Sequence, residues 1–133
     1  MSDPAVTPEA RGAAGLALLR SMLGDELVDK ITERNTVAPN WQRWTTETLF
    51  GDVWLDDTLD VRTRSMITVA ALVPTSRSRE LENHLRAALV NGVTFDELVA
   101  IVTHVAFYAG WPSAGEALNV LKRIDDERAA PSS

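Results

Sequence analysis

The sequence predicts an all-α fold, a bundle of six to seven helices, and three observations carry that expectation. Apolar residues recur at three- and four-residue spacing, the period of a one-faced helix. Residues that stop or start helices fall at helix-length intervals: Gly24, Pro39, Pro74, Asn91-Gly92 and Gly110. No hairpin signal interrupts this pattern, because Asn91-Gly92 stands between two helical segments.

Taken in order, Thr7-Pro8 is a cap and first-turn pair that opens a helix from Glu9 to about Leu23. After Gly24, residues Asp25 to Arg34 place Leu27, Val28 and Ile31 on one stripe, and Asn35 to Asn40 form a connector. Trp41, Trp44, Thr45 and Thr48 then repeat at helical spacing, with Gly51 available to cap the end. Asp60 caps a buried helix from Val61 to Val73; its run Ile67, Thr68, Val69 also suits a strand, but length and the charged first turn favour a helix. Ser78 starts the Arg79 to Val90 helix, with Leu81, Leu85 and Leu89 on the buried stripe. Thr94 to Glu97 is a capping box, which makes the next start the best-determined boundary in the chain. That helix turns Leu98, Val102, Val105 and Ala109 to one face, with Ile101 extending it, and closes at Gly110. Pro112 sits in the first turn of a last helix whose end lies near Glu127-Arg128.

A chain of 133 residues is expected to form one domain over 1–133, with frayed ends at 1–6 and 129–133. A net charge of −6 and the lack of a basic stripe argue against nucleic acid as a partner. The absence of cysteine removes thiol nucleophiles, CxxC redox chemistry and thiolate metal sites together. The two histidines have neither HxH nor HExxH spacing, so no metal is expected. No apolar run approaches the roughly 18 residues of a membrane span, and Met1 to Asp3 do not open a signal peptide, so the expected location is the cytoplasm.

The residues able to carry chemistry gather in the second half. Glu80 and His84 are four apart on one helix, so the carboxylate can bias the imidazole; a solvated helix pair is the plainer alternative. His104 has Tyr108 one turn later, followed by the Gly110-Trp111-Pro112 turn, and reads either as a pocket residue or as a satisfied core histidine. In a pocket, Tyr108 can donate to an oxyanion and Trp111 can wall the site from water. Glu116 either faces that pocket or favours the N-terminus of the last helix. Trp41, Trp44 and Trp54 belong to the core, a subunit seam or a pocket wall, and Trp44 is a candidate substrate contact.

From Glu80 to Pro112 the sequence reads EL, two residues, H; then AL, two residues, GVT; then H, one residue, A, one residue, YAGWP. With LFGDVWLD and RTRSMITVAAL before it, this string resembles the carboxymuconolactone decarboxylase family from about Phe50 to Ile124. The resemblance implies an AhpD-like all-α bundle, a homo-oligomer (trimer or hexamer) and a small-molecule substrate. It also implies a carboxy-lyase that needs no cofactor. Arg64 matches the arginine of the RTRS element and is the implied carboxylate clamp, while Arg62 reads as a surface partner of Asp56, Asp57 or Asp60.

Two positions depart from that family. Ala100 stands where many members carry a glutamate four residues before the second histidine, and Ala109 stands where others carry cysteine. The implied reaction is loss of CO2 from a carboxylated lactone or enone, with His84 or His104 moving the proton, Glu80 assisting, and Tyr108 holding the enolate. The cysteine-dependent peroxidase activity of related proteins is not expected. A cyclase, isomerase or dehydratase acting on a secondary metabolite, and a non-catalytic oligomer with a decayed site, are the competing readings.

Overall fold

The computed structural model describes residues 6–131, with the side chain of Asn35 left out; of the expected frayed ends, residues 1–5 and 132–133 lie outside that range, while Ala129 is still helical. Seven α-helices follow in order: α1 (Pro8–Leu23), α2 (Asp25–Thr32), α3 (Pro39–Arg43), α4 (Val61–Leu72), α5 (Ser78–Val90), α6 (Phe95–Ala109) and α7 (Trp111–Ala129). A 3₁₀ turn, Glu33–Thr36, follows α2, and a π-helical segment, Trp44–Val53, follows α3. The all-α expectation therefore holds. The chain divides into two compact units, residues 1–64 and 65–133.

In the first unit, the Thr7 hydroxyl caps α1 by accepting the Ala10 amide at 3.1 Å, and α1 buries Gly15, Leu19 and Met22 along one face. Against that face runs the π-helical segment. Thr45 and Thr46 return their hydroxyls to the carbonyls of Trp41 and Gln42, at 2.8 and 3.0 Å. Those bonds compete with the backbone amides of an α-helix and widen the turn. The wide turn ends where the Trp54 amide donates to Leu49 O at 2.9 Å, a five-residue step.

Gly51 does not cap this helix, contrary to the sequence reading; the segment continues to Val53. Its missing side chain serves a close approach instead. A Cβ on Gly51 would lie 2.4 Å from Arg11 O, and one on Gly15 would lie 2.0 Å from Thr46 O. Two glycines thus let two backbones touch. Phe50 and Trp54, both buried, stack with ring centroids 5.5 Å apart.

In the second unit, Val69, Val73, Leu81, Leu85, Leu98, Val102, Val120, Leu121 and Ile124 form the core. The capping box is complete: the Glu97 amide donates to Thr94 Oγ1 at 3.1 Å, and the Thr94 amide donates to Glu97 Oε1 at 3.0 Å. The buried face of α6 runs through Leu98, Val102 and Ala106, whereas Ala109, assigned to it from sequence, is exposed. Ala106 continues the four-residue row that Leu98 and Val102 begin. Arg86 reaches Glu127 at 2.8 Å and Glu82 at 3.5 Å, and Arg123 reaches Glu82 at 2.8 Å, joining α5 to α7. Gly110, at φ 121°, is the single residue between α6 and α7 and caps both, in a conformation that a side chain would strain.

Candidate active site

The sequence-predicted site residues fall in both units. Arg64 closes the first, where its Nε donates to Leu59 O and its Nη2 to Asp56 O, both at 3.0 Å. The Asp56 carboxylate lies 3.7 Å from the same guanidinium. Arg64 therefore braces the loop ahead of α4, and with Asp52, Val53 and Asp56 it lines a hollow of about 260 Å³. Asp60 caps the start of α4, accepting the Thr63 amide at 2.7 Å, and that bond holds its carboxyl below the ordinary value. Of the tryptophans in this unit, Trp54 is buried while Trp41 and Trp44 are about half exposed.

The second unit carries an open groove of about 390 Å³ between α4 and α6. Met66, Ile67 and Ala70 supply one wall; Ala100, Ile101, His104 and Val105 supply the other. Among the described residues, His104 is the only polar side chain lining it. It is exposed, so the core-histidine alternative does not hold. One turn later Tyr108 lies against it, ring centroids 5.0 Å apart and tilted by 34°. Phe107 and Trp111 meet edge-on at 5.5 Å across the Gly110 turn. Tyr108, Phe107 and Trp111 are 82%, 75% and 66% exposed, so they form an aromatic rim rather than part of a core.

Three candidates lie apart from the lining. His84 is half-buried on α5, and burial pushes its imidazole below the ordinary value while the charge of Glu80 pulls weakly the other way. Ser78 does not cap α5, as the sequence suggested, but is its first residue; its hydroxyl donates to Glu116 Oε1 at 2.6 Å. Glu116 thereby ties the start of α7 to the start of α5. Among the described residues, no three His, Cys, Asp or Glu side chains gather as a metal-holding cluster. No helix among them is long and apolar enough to cross a membrane.

The groove walls from α4 escaped the sequence reading, which took Ile67 as part of a buried run. Ile67 is 52% exposed whereas Val69 is fully buried. The signal was the spacing of Met66, Ile67 and Ala70, a second apolar stripe beside the core stripe.

The His84 environment predicts how stability depends on pH. A histidine with a depressed folded value binds fewer protons folded than unfolded once pH falls below about 6.5. Its contribution is fully present above that pH and is lost as pH falls through the folded value. Thermal melts from pH 7.5 to 5 should therefore show a decline that His84→Gln reduces; parallel curves for the two proteins would refute this cause.

The sequence profile of the carboxymuconolactone decarboxylase family matches residues 39–123, beginning ahead of the segment that the motifs alone marked. The chain is 34% identical over 117 residues to a 4-carboxymuconolactone decarboxylase of Acinetobacter baylyi, covering 87% of each protein. It is 36% identical over 115 residues to a nitrosuccinic acid decarboxylase of Metarhizium robertsii, covering 84% of this chain and 80% of that one. With the profile spanning most of the sequence and both relatives named as decarboxylases, the chain belongs to the carboxymuconolactone decarboxylase family and is a carboxy-lyase-like enzyme.

Proposed function

We propose that the chain decarboxylates a small carboxylated lactone or enone in the α4–α6 groove, with no cofactor taking part. The observation that carries this reading is His104, one imidazole set in an otherwise apolar wall with Tyr108 against it. A carboxylate laid against these apolar walls loses part of its hydration, whereas the transition state spreads its charge over the conjugated system. The groove therefore disfavours the starting anion more than the transition state. As the C–C bond breaks, its electron pair moves into the lactone or enone and gives a dienolate while CO2 leaves. The Tyr108 hydroxyl donates to the enolate oxygen, and His104 delivers the proton to carbon. The proton that His104 gives up is replaced from solvent, to which its imidazole is exposed. Every residue assigned to the reaction lies in the second unit, whereas Arg64 and Trp44 belong to the first.

The exposed rim of Phe107, Tyr108 and Trp111 supports assembly as a homo-oligomer, a trimer or a hexamer, in which another copy covers the aromatics. Light scattering at micromolar concentration should give a multiple of the chain mass, and a monomer mass would remove this part of the proposal. The reaction is tested by incubating the enzyme with carboxylated lactones and enones and measuring released CO2. Turnover without CO2 would assign the groove to isomerisation or cyclisation instead.

A further inference from the structure

We infer that the α4–α6 groove selects substrates carrying an apolar body, a ring or short hydrocarbon portion beyond the reacting carboxyl group, and that Ala100 sets this preference. The inference rests on the reading of the groove as the reaction site and adds the class of molecule it accepts.

Six of the seven lining side chains offer only hydrocarbon or thioether surface. A second carboxylate or a hydroxyl laid against Met66, Ile67 or Val105 would lose its water and find no donor or acceptor there. Each such group should weaken binding by roughly tenfold or more. A methylene on the same walls gains about fourfold. At about 390 Å³ the groove lies at the small end of ligand sites, room for a ring and a short chain rather than a single small acid.

The polar end is fixed by His104, so the apolar body extends from it along the two helices. Ala100 lies one helical turn before His104 on the same wall, and Ala70 adds a second small residue on the opposite wall. These alanines leave the space that larger residues would fill. Ala100 is also exposed, so enlarging it changes the groove without overfilling the core.

The test is a binding series on the full-length protein: phenylacetate, 3-phenylpropanoate and 4-phenylbutanoate against succinate, read by calorimetry and by the His104 imidazole proton shifts. Affinity should rise about fourfold per methylene, with succinate weakest. In Ala100→Leu the longest acid should lose at least about tenfold, with the melting temperature unchanged. A flat series, succinate binding as tightly as the phenyl acids, or an unaltered gradient in Ala100→Leu would overturn the inference. Should that variant fail to fold, Ala100→Val takes its place in the same series, with a smaller loss for the longest acid expected and an unaltered gradient counting against the role of Ala100. The outcome separates from the decarboxylase reading: a steep series without CO2 release from any carboxylated substrate removes the reaction and leaves the selectivity. CO2 release from a small dicarboxylate together with a flat series does the reverse.

Discussion

Gly15→Ala should destabilise the first unit by at least about 3 kcal/mol, beyond the ordinary cost of overpacking, because the atoms in the way are backbone. The new Cβ would stand 2.0 Å from Thr46 O and 2.6 Å from Gly51 N. Neither can swing aside as a side chain can, so α1 and the π-helical segment must separate and give up part of their buried contact. Gly51→Ala should act similarly, since its Cβ would meet Arg11 O at 2.4 Å and Thr46 O at 2.5 Å. Gly115 supplies the control: it lies within α7 with nothing within 4 Å of its added Cβ. Gly115→Ala should raise stability by about 0.5 to 1 kcal/mol through helix propensity. Urea melts followed by circular dichroism read all three. A Gly15→Ala midpoint equal to wild type would mean that the two helices do not touch as described.

Turnover in His104→Ala should fall by about a hundredfold or more, the scale of a lost general acid. The melting temperature should hardly move, because an exposed imidazole contributes little packing. Tyr108→Phe keeps the ring beside His104 and removes the hydroxyl. It should lower kcat by about a hundredfold if that hydroxyl holds the enolate. A drop in kcat with KM preserved points to the transition state, whereas a rise in KM alone points to binding. Full activity in a folded His104→Ala protein would end the acid–base reading of the groove.

Much of the fold was legible because its punctuation is chemical. Thr7-Pro8, Thr94 to Glu97 and Gly110 each satisfy or break backbone hydrogen bonds locally, and the structure keeps all three boundaries. The π-helical segment was not legible. Its Thr45 and Thr46 look like ordinary helix residues until their hydroxyls are seen to take carbonyls from the backbone ladder. Gly51 was misread for a related reason: a glycine that ends a helix and one that admits a neighbouring backbone are the same letter. For the site, the spacing of His104 and Tyr108 predicted their contact, because both lie on one helix. The α4 wall depends on which stripe of another helix faces it, a tertiary fact. The bond from Ser78 to Glu116 spans 38 residues and has no local signature at all.

Helix α6 has a consequence for how this protein can change over generations. Leu98, Val102 and Ala106 anchor it in the core, while Ala100, His104 and Tyr108 face outward from the same fifteen residues. Selection for foldability therefore acts on one set of codons and selection for substrate on an interleaved set. Mutations at positions 67, 100 and 108 draw little on the stability reserve that limits most adaptive substitutions. A lineage can exchange groove residues one at a time, each intermediate remaining folded, and so drift from one carboxylated substrate to another without first acquiring compensating changes in the core.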